Sequence, residues 1–456
     1  MRIPRNTAPA APIASSASAS TSAGAGASAG GGDWYRRPVT PQVPVQPPDP
    51  PPVPLRRNRD FMLLQIGQLL SNVGTQAASI AYPLFVLALT HSAVKAGLVS
   101  FARTLPLALF AIPAGVAADR WSRKALMITA DAGRVVAVGI LVITIITNHT
   151  PFWLIPLIAF VEGGGAALFN AAQAGALRAT VPRSQLPEAA GAQTGRAAVV
   201  RVAGPPAGGA LFEVARALPF VADVVSYAFS TLSLLWMRTP FQEERTTELA
   251  SLRDRVKEGL AFIWSQPFVR TSAFLYGLLN FIAPGVFFAV IVIAKRQDLS
   301  SGAVGGLVAS FGVAVLVGSI ASPALRRRLS VRAIMRLEIW AWLGCALFLI
   351  WPSVYVLTAS ILPVGFAIPS TDSVVNGYRI AITPDRLLGR AESVRSAIAL
   401  MIASLAPLVA GFLLADTTPR WTITFFAVFA LGLAIWGTFN QSIRDAPSLD
   451  DLDRHP

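Results

Sequence analysis

Cysteine occurs once, at Cys345, and histidine three times, at His91, His149 and His455. One thiol excludes a disulfide framework and a paired redox centre, and three scattered histidines offer no spacing for a metal site. Charge is scarce too: 14% of residues are charged, against about a quarter in a soluble protein. The sequence has no Gly-x-x-x-x-Gly-Lys-Ser/Thr phosphate loop, no metal-ligand cluster and no strand-to-helix nucleophile elbow. Neither an enzyme nor a cofactor is therefore expected, and ATP is not the expected energy source.

What is abundant is apolarity, at 54% of residues. The net charge of +14 sits in short basic clusters between apolar runs, which suits membrane topology and lipid headgroups rather than nucleic acid. Residues 1–57 are rich in Ala, Ser, Gly and then Pro, bury almost nothing, and are expected to be a disordered tail. From Phe61 onward, twelve apolar runs recur, each near the roughly 20 residues needed to cross a bilayer. They cover about 61–89, 96–118, 125–147, 152–177, 193–214, 218–237, 270–293, 302–325, 333–351, 354–378, 395–415 and 420–440. Backbone groups in lipid must be satisfied internally, so the runs are helices.

Arg56, Arg57 and Arg59 precede the first run, and alternate loops carry Arg120, Arg123, Lys124, then Arg178, Arg183, then Arg326–Arg328 and Arg332, then Arg386 and Arg390. This bias places both termini in the cytoplasm of a multi-pass protein of the cytoplasmic membrane. Between runs six and seven, Leu249, Leu252, Val256, Leu260 and Ile263 repeat at helical spacing with Glu248, Arg253, Asp254, Lys257 and Glu258 between them. That is an amphipathic helix at the interface. Ser122-Arg-Lys124-Ala-Leu-Met127 matches Ser330-Val-Arg332-Ala-Ile-Met335, and Thr180-Val-Pro182 matches Ile382-Thr-Pro384. The expected fold is all-α: two six-helix pseudo-repeats (58–238 and 269–440), a linker (239–268) and a C-terminal tail (441–456).

Gly115-x-x-x-Asp119-Arg120-x-x-Arg123-Lys124, between runs two and three, resembles the signature loop of the major facilitator superfamily. Gly204-Pro205-Pro206-Ala207-Gly208-Gly209 is similar to the Gly-Pro element of its antiporters. Asp223-Val-Val-Ser226-Tyr227 and Pro384-x-x-x-x-Gly389-Arg390 resemble the branch containing enterobactin exporters and macrolide-efflux proteins. Thr75 stands where many members carry an acid, and run four has no arginine of the kind common in proton antiporters. The resemblance implies a secondary transporter working by alternating access.

Physically, Gly115 permits close backbone approach, and Asp119 suits a helix N-terminus or an arginine, so the loop reads as a conformational latch. Ionisable residues inside spans cost about 2.5–3.5 kcal/mol each on insertion scales and are functional candidates by default. Glu162, flanked by Gly163–Gly165, is the first choice for a titrating carboxylate, with a static pair to Arg201 as the alternative. Asp131 and Arg134 are three apart and suit a local pair supporting the latch. Arg103 and Asp223 suit an outer gate, Asp372 a pore-lining acid beside Arg379, and Arg196 a snorkelling cation. Gly204, Pro205, Pro206, Gly208 and Gly209 suit a kinked, tightly packed hinge. Phe281, Phe287, Phe288, Trp340 and Trp342 are candidates to line a cavity for a bulky amphiphile.

The expected function is proton-coupled export of a small amphipathic molecule, such as an antibiotic or siderophore, by a monomer surrounded by lipid. An uptake permease for a polar metabolite and a non-transporting receptor or scaffold are the alternatives.

Overall fold

A computed structural model describes residues 54–239, 241 and 252–444. Most of the expected N-terminal tail, most of the C-terminal tail, and Glu248 and Leu249 of the linker lie outside the described residues. The first half comprises α1 (Arg59–Thr90), α2 (Ala93–Leu109 continued by Ala111–Arg120), α3 (Arg123–Ile146), α4 (Leu154–Thr180), α5 (Leu186–Val214) and α6 (Leu218–Trp236). The second comprises α7 (Pro267–Arg296), α8 (Ser301–Arg328), α9 (Val331–Ile350, with a 3₁₀ turn at Trp342–Ala346), α10 (Val354–Ile382), α11 (Asp385–Asp416) and α12 (Pro419–Phe439).

Eleven of these segments, counting the bent α2 as one, are long and apolar enough to cross a membrane. The twelfth, α5, has spanning length, but Glu188, Arg196, Arg201 and Glu213 dilute its apolarity. It starts at Leu186 rather than 193, and α11 starts at Asp385 rather than 395, because both helices extend past their apolar stretch into charged first turns. The repeat extends to the caps. Ser122 accepts from the amide of Ala125 at the start of α3, as Ser330 does from Ala333 at the start of α9. Ser92 and Ser300 do the same for α2 and α8.

The halves meet where α2 packs on α11 and α5 on α8. At the end away from the Gly115–Lys124 loop, these contacts are backbone to backbone. A Cβ added to Gly97 would strike Pro407 O, one on Gly411 would strike Ala93 O, and one on Gly209 would strike Ser301 O. Glu213 Oε2 also accepts from Gly302 N, at 2.9 Å, across the halves. At the loop end, by contrast, nothing lies within 4 Å of a Cβ position at Gly115, Gly191, Gly195 or Gly389. One end of the bundle is thus shut and the other parted. Gly209→Val is expected to lower the melting temperature in detergent by overpacking worth about 1–3 kcal/mol; an unchanged melt would show that the α5–α8 contact is not made.

Two local features position the site. α2 bends by 48° at Phe110, and the cause is Pro113: its ring displaces the carbonyl of Leu109 four residues back and supplies no N–H to it. The linker helix, Leu252–Ser265, lies against α11. Ile263 packs in a cluster with Val269, Ala391 and Val394, a Cβ on Gly259 would strike Arg390 O, and Glu258 pairs with Arg390. Ile112 of α2 packs against the same cluster, so the linker helix bridges the two halves at the loop end.

Candidate functional site

Six helices of a transmembrane bundle bury apolar faces against one another, and polar side chains caught between them must find partners. In the first half they collect in one place. Glu162 of α4 is buried, and its Oε1 accepts from Arg103 of α2, through Nη2 at 2.7 Å and Nε at 3.1 Å. Tyr82 of α1 donates to Glu162 Oε2 at 2.8 Å, and Tyr227 of α6 donates to Oε1 at 3.2 Å. Arg103 Nη2 also donates to the carbonyl of Thr75 at 3.0 Å, and the Thr75 hydroxyl lies 2.9 Å from that of Tyr227. Gly163 admits α2 here, since a Cβ on it would strike Arg103 O.

Beside this pair sits a second. Arg134 Nη1 donates to Asp131 Oδ1 at 3.1 Å, and its guanidinium lies over the rings of Phe169 and Tyr227, at 5.5 and 4.9 Å from their centroids. Both residues are buried, and their shared neighbour Tyr227 joins them to the Glu162 cluster rather than to the loop. The third carboxylate, Asp223 of α6, is fully buried, and neither of its oxygens has a hydrogen-bond partner among the described residues. It faces Gly74 of α1, where a Cβ would come within 3.0 Å of Oδ1.

Several expected pairings are corrected. Glu162 does not pair with Arg201: α5 packs on α1 and α8, whereas α4 packs on α2 and α3, so the two side chains belong to different faces of the bundle. Arg201 is exposed and faces Asp372 of α10, also exposed, across the parted end. Arg103 does not gate with Asp223, because its donors are committed to Glu162 and Thr75. Arg196 does not snorkel free; it donates to Gln65 of α1 at 2.7 Å. Arg379 bonds Asn376 at 2.5 Å and Glu392 at 3.3 Å. Trp342 and Phe288 are core residues, and Trp340 donates to Thr438 at the surface, so these three line no cavity.

In the signature loop, Lys124 donates to the carbonyl of Met237 at 2.6 Å, and the Arg123 guanidinium fills the space above Gly175, where a Cβ would clash with it. Arg120 closes the last turn of α2, and Asp119 beside it is exposed. Gly115 makes no close approach, with nothing within 4 Å of a Cβ position there. In α5, helix runs unbroken through Pro205 and Pro206. Gly204 and Gly208 face Gln76 and Ala77 of α1, and Gly209 faces α8. Pro205 leaves the carbonyl of Arg201 without its helical donor, and that oxygen points at Gly312 of α8.

Sequence reasoning did not single out Tyr82 or Glu338 of α9, and it marked Thr75 only as standing where many members carry an acid. Tyr82 carries no signal beyond its place in an apolar run. Glu338 is an acid inside a span, but it follows the basic stretch Arg326–Arg336 and so blends into a loop.

Twelve long helices in two capped repeats, eleven of them apolar enough to cross a membrane, joined by α2–α11 and α5–α8, define a major facilitator superfamily transporter. The chain belongs to the transmembrane secretion effector family, whose model matches residues 51–450. Macrolide efflux protein A of Streptococcus pyogenes is 25% identical over 205 residues, which is 44% of this chain and about half (51%) of that relative's length. The multidrug efflux pump Tap of Mycolicibacterium fortuitum is 24% identical over 376 residues, 77% of this chain and 88% of the pump. A solved bacterial homologue of the iron transporter ferroportin, in an inward-facing state, aligns with a TM-score of 0.68 at 17% identity, over 86% of this chain and all of that one.

Proposed function

We propose that the protein is a proton-coupled exporter of a small amphipathic compound, such as an antibiotic, siderophore or other secondary metabolite. It works by alternating access, as a monomer in the cytoplasmic membrane, with the loop end and both termini facing the cytoplasm. The observation that carries the reading is the charge count of the buried cluster: three carboxylates, Asp131, Glu162 and Asp223, against two guanidiniums, Arg103 and Arg134. Glu162 and Asp131 each hold an arginine, and Asp223 holds none. An unpaired charge in a low-dielectric interior is costly, so the cluster is at ease only with a proton on Asp223. A site that holds a proton in one state and loses it in another is what coupling requires.

The parted loop end supports loading from the side where the basic loops lie, and Arg201 and Asp372 offer cargo a polar contact across it. The outward direction is supported by the secretion family and by relatives named as efflux pumps. In inverted vesicles made acidic inside, a radiolabelled macrolide is expected to accumulate above protein-free controls, and Asp223→Asn is expected to abolish the dependence on the pH gradient. Accumulation under the opposite gradient would make the protein an uptake permease. Full proton-driven transport by a well-inserted Asp223→Asn protein would remove Asp223 from the scheme.

A further inference from the structure

The second half holds a buried carboxylate that the scheme above does not use. Glu338 lies in the second turn of α9, is only 6% exposed, and its Oε2 has no hydrogen-bond partner among the described residues. Each helix packed around it presents a polar group or none. α7 presents Tyr276, whose hydroxyl is buried and likewise unpartnered. α10 presents the Thr371 hydroxyl and Asp372. α12 has one charged residue, Arg420, at its opposite end, α8 carries Arg326, Arg327 and Arg328 in its last turn, all exposed, and on α9 itself Arg332 and Arg336 are exposed. One turn beyond Glu338, the Trp342 indole is 2% exposed and its N–H also lacks a partner.

The repeat explains why this acid stands alone. Counted from the matched caps Ser122 and Ser330, the position that is Arg134 in α3 is Trp342 in α9. The first half gives its α3 acid a guanidinium at 3.1 Å; the second keeps an acid one position from the equivalent place and puts an indole where the guanidinium would be. Ionised, such a carboxylate carries the full desolvation penalty of a lone buried charge. Protonated, it gains an O–H donor, and the Thr371 hydroxyl beside it can accept. No group of three His, Cys, Asp or Glu side chains able to hold a metal ion occurs here among the described residues.

We propose that Glu338 is a second proton-binding site, in the C-terminal half, so that two protons move per cargo molecule. The proposal rests on the proton-coupled reading above. Binding forms an O–H bond on Oε2 with a proton supplied by water, and release returns that proton to water. Asp372, exposed at the parted end and next in sequence to Thr371, is the relay. The two sites are separate in kind: Asp223 is the surplus acid of an arginine-rich cluster, whereas Glu338 has no arginine at all.

Two measurements on the full chain in lipid test it. Infrared difference spectra across a pH step are expected to contain a protonated-carboxyl C=O band that Glu338→Gln removes and Glu338→Asp restores, shifted. Should Glu338→Gln insert poorly, Thr371→Val is expected to shift the same band in an intact protein. Identical spectra for wild type and variants, or a band that follows sodium at constant pH, would overturn the site. In vesicles acidic inside, with the membrane potential clamped, each coupled proton is worth a factor of about ten in accumulation per pH unit. Labelled macrolide is thus expected to reach about 100-fold per unit with wild type and about 10-fold with Glu338→Gln. Equal slopes would refute the two-proton stoichiometry. If wild type accumulates nothing, the export reading fails, while the infrared band still decides whether Glu338 titrates.

Discussion

Replacing Arg103 by methionine is expected to destabilise the protein by about 3–5 kcal/mol, the loss typical when one partner of a buried ion pair is removed. The guanidinium supplies two of the four hydrogen bonds to the Glu162 carboxylate and ties α2 to the Thr75 carbonyl of α1. Without it, Glu162 keeps only the hydroxyls of Tyr82 and Tyr227, which lessen the cost of a buried charge without cancelling it. The charge, not the lost packing, is the main cost, and a second substitution separates the two. Glu162→Gln in the Arg103→Met background keeps an acceptor for Tyr82 and removes the charge, so the double variant is expected to recover more than half of the loss. Thermal melting in detergent, followed by tryptophan fluorescence, reads both changes. A double variant as unstable as Arg103→Met alone would mean that shape, and not electrostatics, holds α2 against α4.

This pair also shows where sequence reasoning reaches and where it stops. Glu162 stood out because an acid within an apolar run is expensive wherever it points. The pairing did not, since Arg103, marked only for an outer gate with Asp223, is 59 residues away and only the packing of α2 on α4 brings the two together. Arg201 was the natural guess from chain order, but helices adjacent in sequence are not always adjacent in this bundle, and α5 turns to α1 and α8. The twelve spans were legible because apolar length and short loops leave few options, whereas the starts of α5 and α11 were not, being charged turns that continue a helix beyond its apolar stretch. The bend in α2 was written in Pro113 but masked by the flanking apolar residues. Gly115 and Asp119 present a different problem: a latch of the expected kind would act between two states, and one set of contacts cannot display it.

That other state is where Asp119→Ala is expected to act. In the present conformation the loop is held to its own half by Lys124 on Met237 and Arg123 over Gly175, while Asp119 is exposed and Gly115 faces open space. Because Asp119 is exposed, its removal is expected to change the melting temperature by no more than a surface substitution does, within about 0.5 kcal/mol. When the loop end closes, the end of α2 approaches the start of α11, which it already touches. The first turn of α11 follows Pro384, which provides no side-chain cap, so its amides are suited to a carboxylate. An acid that is bound more tightly in the closed state shifts the equilibrium by the difference between the two states, and a loss of about 1.4 kcal/mol of that difference depopulates the closed state tenfold. Macrolide export by Asp119→Ala is accordingly expected to fall at least tenfold with insertion intact. Arg123→Ala, which strips an anchor present in both states, is expected to lower stability as well. Normal export by a fully inserted Asp119→Ala protein would leave the loop as a topological anchor only, and equal melting losses for the two variants would place Asp119 among the anchors rather than in the latch.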